Sequence, residues 1–283
     1  MQDLKKYFAW QQSQIQKATE VYSDPFSDEN NGIIPEFDIA FKHTHFLGGT
    51  ADSVLLGKNP YKSKAELYEE IINPQIQENK FVFMRGKFAE EFVARAFEVL
   101  THQKVVDGIE VYGKHDLNPY SMAQIDRLIA LGNEKYIPLE IKTSTFKRDE
   151  EDGKGWGTGC KFNDYGELIF VDSKIPEYYY IQCQKQMWLY GVEDYMYLAA
   201  WITSENQIRV YQIHRNDDVI EQIKQAEEDF MFNHLIPNIP PEVEEVTLDI
   251  NYDEENNALV DSSFIDLAKE YQDLSKQATK LDK

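Results

Sequence analysis

The chain has 283 residues, 42% of them hydrophobic and 13% aromatic, which is enough for a sizeable core in one large domain or in one domain with an appendage. No stretch approaches the ~18 consecutive apolar residues of a membrane helix. The formal net charge of −21, taken alone, argues against a nucleic-acid partner, because an acidic surface repels phosphates. The first twenty residues carry no apolar segment before a small-residue cleavage site, so no secretory signal is expected. Cys160 and Cys183 are too far apart to form a ligand pair, which suggests an intracellular chain without disulfides, zinc or iron–sulfur clusters.

Residues 1–22 read as an amphipathic opening helix, and the turn-rich stretch 23–37 reads as a loop. "GGTADSVLLG" (48–57) suggests a short helix entered through a Gly-Gly turn. "SKAELYEEIINP" (63–74) has Ser63 as its cap, Glu66 three places on, and Pro74 as its stop. A strong helix follows at 83–100. "SMAQIDRLIAL" (121–131) and "YIPLEIKTS" (136–144) read as strands of a hairpin joined by "GNEK". The Gly-rich, charged stretch 146–174 reads as an excursion, and 176–192 as a helix with Pro176 near its start. "YMYLAAWIT" and "QIRVYQIH" form a second hairpin leading into an acidic helix. A Pro-punctuated acidic linker (236–257) and a polar helix (260–281) close the chain, and no internal repeat is visible.

The charge is unevenly spread. Residues 215–283 hold 18 acids against 6 Lys or Arg, whereas 41–64 holds four lysines, two histidines and one acid. A basic channel on an acidic body is therefore compatible with the composition. In 136–144, strand alternation turns Ile137, Leu139, Ile141 and Thr143 one way and Glu140, Lys142 and Ser144 the other. A turn centred near Asn133 sets Asp126 opposite Glu140, give or take one residue. Two carboxylates that close are unfavourable unless a cation sits between them, and oxygen ligands of this kind suit Mg²⁺ or Mn²⁺.

On helix 83–100, Lys87, Glu91, Arg95 and Glu98 form a solvent stripe, and Glu90 lies off it, turned towards the body. A buried Glu90 would need a cation or hydrogen bonds. Gln182, Gln184 and Gln186 could be helix surface. Gln184, one turn from Tyr180 and Trp188, is expected to face inward and to need a polar partner. Each piece alone has an ordinary explanation as an edge residue, a surface salt bridge or a backbone-binding amide. Their joint order is what points to a site.

That order resembles the PD-(D/E)XK nuclease superfamily, and within it the lambda exonuclease and YqaJ-type phage recombination nucleases. The matching stretches are "GGTADSVLLGKNPYKSKAELYEE", "RGKFAEEF", "AQID", "LEIKTS" and "IPEYYYIQCQKQMWLYG", which together cover roughly residues 41–215. The resemblance implies an α/β (α+β) restriction-endonuclease-like core, a mixed central sheet flanked by helices. It implies a nuclease domain at 1–215 with an acidic helical extension at 216–283, in the cytoplasm of a bacterial host. It implies Mg²⁺-dependent hydrolysis of double-stranded DNA, 5′ to 3′ from open ends, with Glu90, Asp126, Glu140, Lys142 and Gln184 as catalytic residues. Asp126, Glu140, the Ile141 carbonyl and Glu90 would hold one or two Mg²⁺ or Mn²⁺ ions. Lys142 would orient or deprotonate water, or sit over the transition-state phosphate, and Gln184 would help to position them. DNA contacts would come from His45, Thr50, Ser53, Lys62, Arg85, Gln124, Thr143, Ser144 and Tyr180.

The arginine that such enzymes use for a 5′-phosphate is missing from "FKHTHF", although Thr50 and Ser53 with the Gly48 and Gly49 amides could cradle a phosphate. The resemblance further implies a trimeric ring and a single-strand annealing partner. The alternatives are a structure-specific or restriction-like endonuclease on the same fold, or a partner-binding protein with a residual nuclease fold. Two cysteines, where the CRISPR-adaptation relatives carry four, argue against that branch.

Overall fold

The computed structural model describes residues 2–23, 38–76, 80–144, 155–162 and 168–242. The expected helix at 260–281 lies outside them, as does part of the 146–174 excursion. The helices are α1 (Gln2–Tyr22), α2 (Asp38–His43), α3 (Ala51–Leu55), α4 (Lys64–Ile72), α5 (Lys80–Thr101), α6 (Glu177–Tyr190) and α7 (Asp217–Asp229). A π-helical turn, Phe230–Leu235, continues α7. The strands are β1 (Lys104–Tyr112), β2 (Met122–Gly132), β3 (Lys135–Ser144), β4 (Cys160–Phe162), β5 (Leu168–Phe170), β6 (Tyr195–Ile202) and β7 (Gln207–His214).

Five strands form the central sheet in the order β1-β2-β3-β6-β7, and β4 pairs with β5 separately. All neighbours in the central sheet are antiparallel except β3 and β6, whose parallel pairing needs a crossover. That crossover contains α6, which therefore covers one face of the sheet, while α5 covers the other. The expected mixed sheet flanked by helices is what the chain forms. On the α5 face, Val93, Ala94 and Phe97 pack against Ile129, Leu139, Ile141, Tyr197 and Ala199. On the α6 face, Cys183 and Met187 pack against Met196, Leu198, Ala200 and Ile202. Alternate residues of β6 thus enter different cores, and this is why the strand reads as one unbroken apolar run. A third core joins α1, α3 and α4 to the π-helical turn through Tyr7, Val54, Tyr68, Phe230 and Leu235.

Local signals set several boundaries. The Ser63 hydroxyl accepts from the Glu66 N–H and the Glu66 carboxylate accepts from the Ser63 N–H, closing the capping box of α4. Asn133 and Glu134, at φ of 51° and 58°, make the tight β2–β3 turn of the primed type. Gly191, at φ 86°, ends α6 by donating to the Met187 carbonyl. β1 was not expected from sequence. Asp107 and Gly108 interrupt its alternation, and Gly108 is there for a steric reason. A Cβ at Gly108 would fall 1.8 Å from the Ile125 carbonyl oxygen and 2.4 Å from that of Asp126.

Candidate active site

The hairpin register runs from Ile129 against Ile137 to Arg127 against Leu139, and one further step sets Asp126 opposite Glu140. Leu139 and Ile141 go to the α5 core, so the intervening Glu140 and Lys142 face α6. The Glu140 side chain is 1% exposed, yet three donors meet it there. Gln182 Nε2 donates to Oε1 at 2.7 Å, Gln186 Nε2 donates to Oε2 at 2.5 Å, and Lys142 Nζ lies 2.5 Å from Oε1. Asp126 accepts the Ile141 backbone N–H at 2.8 Å, which ties one carboxylate to the strand that carries the other.

Burial and the facing Glu140 push the Asp126 carboxyl well above the ordinary carboxylate range, with Lys142 opposing the shift. Lys142 is held above the ordinary lysine value by Glu140 and Asp126, which outweigh its own burial. Its Nζ also lies 4.9 Å from the centre of the Tyr179 ring. Glu140 and Lys142 are therefore not a solvated surface pair but part of a polar cluster packed between β3 and α6.

Glu90 is half-buried, as expected, and Glu91 pairs with Arg95 in solvent at 3.0 Å. The cation that answers Glu90 is Arg127, whose Nη1 also donates to the Asp126 carbonyl at 2.7 Å. Burial still raises the Glu90 carboxyl, and Arg127 opposes that rise. Among the described residues, no three carboxylate, imidazole or thiolate side chains converge closely enough to hold an ion by themselves. An ion here would rely on Asp126, Glu140 and the Ile141 carbonyl. One further feature fits such a guest: Gln186 Oε1 is buried beside Glu140 with no hydrogen-bond partner.

Gln184 does not join this cluster. Its amide donates to the His214 carbonyl at 2.8 Å and accepts from the Asn216 N–H at 2.7 Å, pinning β7 to the start of α7. Gln182 and Gln186, four residues apart on one helix face, take the place expected for it. Two residues expected to meet DNA are buried instead. His45 is 4% exposed, packs edge-on against Phe41, and burial lowers its pKa to about 4. Ser53, 1% exposed, donates to the Thr50 carbonyl and accepts from Asn59. Thr50, Gln124 and Thr143 are exposed, and Lys62, Ser144 and Tyr180 are half-buried, with Lys62 paired to Glu70 at 2.5 Å. The Arg85 side chain is outside the described part of α5.

Residues 41–193, more than half of the chain, match the YqaJ-like viral recombinase domain. The chain belongs to that family. The uncharacterized protein YqaJ of Bacillus subtilis (strain 168) is 26% identical over 223 residues, which are 76% of this chain and 63% of that protein. The chain thus spans less than two thirds of the length of this curated relative. Similar solved structures include an alkaline exonuclease (LHK-Exo) from Laribacter hongkongensis, at 16% identity and a TM-score of 0.48, covering 73% of this chain and 94% of that one. A phage-related exonuclease from Haemophilus somnus 129PT is 14% identical, with a TM-score of 0.46, over 68% of this chain and 94% of that one.

Inside the span matched to the YqaJ-like domain, α6 carries a second polar group that sequence reasoning missed. Lys185, 0% exposed, reaches the Leu47 carbonyl at 2.8 Å and Asp52 at 3.2 Å, and it also pairs with Glu227 of α7. Ser121 donates to the other Glu227 oxygen. The cluster joins α3, α6, α7 and the entry to β2 around the Leu47–Gly49 turn. Gly48 and Gly49 are both tight there. A Cβ at Gly48 would lie 2.6 Å from His43 Nε2, and one at Gly49 would lie 3.2 Å from Gln182 Cγ. The signal for Lys185 was its place between Cys183 and Met187, where a solvated lysine does not belong.

Proposed function

We propose that the chain is a metal-dependent deoxyribonuclease, an exonuclease that resects double-stranded DNA 5′ to 3′ from open ends to leave 3′ single strands for recombination. The observation that carries this reading is the convergence of buried Glu140 with half-buried Asp126 and Lys142 in a member of a viral recombinase family. Asp126 and Glu140, with the Ile141 carbonyl, hold Mg²⁺ or Mn²⁺ as hard oxygen ligands, and the repulsion that lifts the Asp126 carboxyl is what the ion relieves. When bound, the ion supplies Lewis acidity and a water of lowered pKa. Gln182 and Gln186 fix both Glu140 oxygens from outside, much as outer partners orient metal ligands elsewhere.

Lys142 is charged at neutral pH and donates to the attacking water or to a phosphate oxygen, offsetting negative charge as it grows there. Arg127 holds Glu90 at the rim and steadies the Asp126 backbone. The family resemblance also supports a trimeric ring and work beside a single-strand annealing protein. A ring would let an acidic exterior enclose a basic path.

The test uses linear duplexes bearing 5′-phosphate, 5′-hydroxyl or covalently closed ends, with Mg²⁺ or EDTA. Loss of open-ended duplex from its 5′ strands in Mg²⁺, abolished by Asp126→Ala and by Lys142→Ala, is the expected result. Cleavage of closed circles would sink the exonuclease reading in favour of an endonuclease, and no cleavage of any duplex in Mg²⁺ would leave a binding protein.

A further inference from the structure

A row of tyrosines leads outward from Lys142. The Tyr179 ring, which lies under the lysine, meets Tyr178 at 4.2 Å between ring centres, and Tyr178 meets Tyr61 edge-on at 5.8 Å. Tyr178 and Tyr179 open α6, whereas Tyr61 comes from the α3–α4 loop and is 71% exposed. A ring that open adds little to the core, so burial does not explain it.

Its position is nevertheless fixed. The Tyr61 backbone N–H donates to Asn59 Oδ1 at 2.9 Å, and Asn59 Nδ2 donates to the buried Ser53 hydroxyl at 2.9 Å. Ser53 therefore acts from beneath, through Asn59, on the loop that presents Tyr61. The same loop carries Lys58 and Lys62, and Lys64 opens α4 just beyond it. Lys58 reaches Glu177 at the start of α6 at 3.2 Å, joining the loop to the helix that carries the other two rings.

We propose that Tyr61 is a stacking platform for an unpaired nucleobase of the DNA strand that leads to Lys142, an inference that rests on the deoxyribonuclease reading above. Every base offers a π-face, and a groove pairing aromatic rings with lysines binds single strands with little regard to sequence. The three ring-to-ring and ring-to-lysine steps place Tyr61 within roughly two to four stacked-base spacings of ~3.4 Å from Lys142. A base inside intact duplex has both faces covered. Tyr61 therefore selects an end that is frayed or already single-stranded, and the lysines beside it meet the phosphates of that strand.

The experiment titrates the full chain, in EDTA so that nothing is cut, into duplexes carrying 2-aminopurine at each of the first few positions of the 5′ strand. The ends are either mismatched or held closed by a terminal cross-link. The wild-type chain should give a stacking-dependent fluorescence change at one or two positions, on mismatched ends only. Tyr61→Ala should abolish that change and weaken binding to mismatched ends by roughly 5- to 150-fold. Tyr61→Phe and Tyr61→Trp should retain both. Lys62→Ala should weaken mismatched and closed ends alike and flatten the salt dependence.

An unchanged fluorescence profile and affinity in Tyr61→Ala, in a wild-type chain that binds and cuts DNA, would overturn the stacking role and leave the nuclease reading standing. Equal losses on mismatched and cross-linked ends would also overturn it, as would a change confined to oligomeric state, which would mark Tyr61 as a contact between chains. A wild-type chain that neither binds nor cuts DNA would remove both readings.

Discussion

Replacing Lys185 by methionine keeps the length of the side chain and removes its charge from a place with no water. Asp52 and Glu227, both with 0% exposed side chains, would be left facing each other with only the Ser121 hydroxyl for compensation. Breaking a buried ion pair by removing one partner costs about 3–5 kcal/mol, and this site strands two carboxylates at once, so the upper half of that range is expected at neutral pH. The pH dependence follows from burial. It already lifts the Asp52 carboxyl well above its ordinary value, and Lys185 is the group that opposes the rise. A carboxyl whose folded pKa is raised binds its proton more tightly when folded, so stability is lost as pH climbs through that raised value and recovered as pH falls below it. Without Lys185 the Asp52 carboxyl rises further, and the variant's deficit should shrink as pH falls from 8 towards 5.

Urea unfolding of wild type and Lys185→Met at pH 8, 6.5 and 5, followed by far-UV circular dichroism, measures this directly. The triple variant Lys185→Met, Asp52→Leu, Glu227→Leu should recover most of the loss, because apolar replacement of a whole buried ionic group is often neutral or stabilising. A single-variant loss below about 1 kcal/mol at pH 8, or a deficit that does not narrow in acid, would refute the reasoning.

Three other outcomes are expected. Asp126→Asn should abolish DNA cleavage while raising the stability of the metal-free protein by about 0.5–2 kcal/mol, because it removes the repulsion with Glu140 that burial intensifies. Thermal melts in EDTA beside nuclease assays check this pair of opposite effects. Gln186→Ala should cut kcat by roughly 10- to 100-fold through a loosened Glu140, whereas Gln184→Ala should cost about 1–3 kcal/mol of stability and leave kcat of the folded fraction intact. Gly108→Ala should destabilise by more than about 2 kcal/mol, since its Cβ would sit 1.8 Å from the Ile125 carbonyl oxygen and would push β1 away from the strand bearing Asp126. Urea midpoints and the Mg²⁺ concentration for half-maximal cleavage report the two parts of that effect.

Much of the site could be read from local pattern. Strand alternation put Glu140 and Lys142 on one face, and the turn at Asn133, together with a one-residue register shift between Ala130 and Gly132, brings Asp126 across to Glu140. Helical spacing separated Glu90 from the solvent stripe of Glu91 and Arg95. These are one-dimensional regularities with periods of 2 and 3.6 residues, so they survive without any knowledge of neighbours.

The choice among the three glutamines was different. Their spacing puts Gln182 and Gln186 on one face and Gln184 nearly opposite, but α6 is buried over most of its circumference, so polarity alone could not say which face meets the sheet. The packing of α6 between the sheet and α3 with α7 decided it, sending Gln184 to His214 and Asn216. His45 and Ser53 show the same limit. A polar residue in a basic stretch reads as a DNA contact, and only the tertiary structure shows that one lies against Phe41 and the other beneath Asn59. The partner of Glu90 also waited for three dimensions, because Arg127 lies 37 positions away and shares its strand with Asp126 on the opposite face. The sequence by itself determined most of the elements, β1 excepted, together with the carboxylate pair on its hairpin, all set by contacts between near neighbours in the chain. The tertiary structure decided which buried charge answers which, because that depends on how each helix is rotated against the sheet, and no local period records that angle.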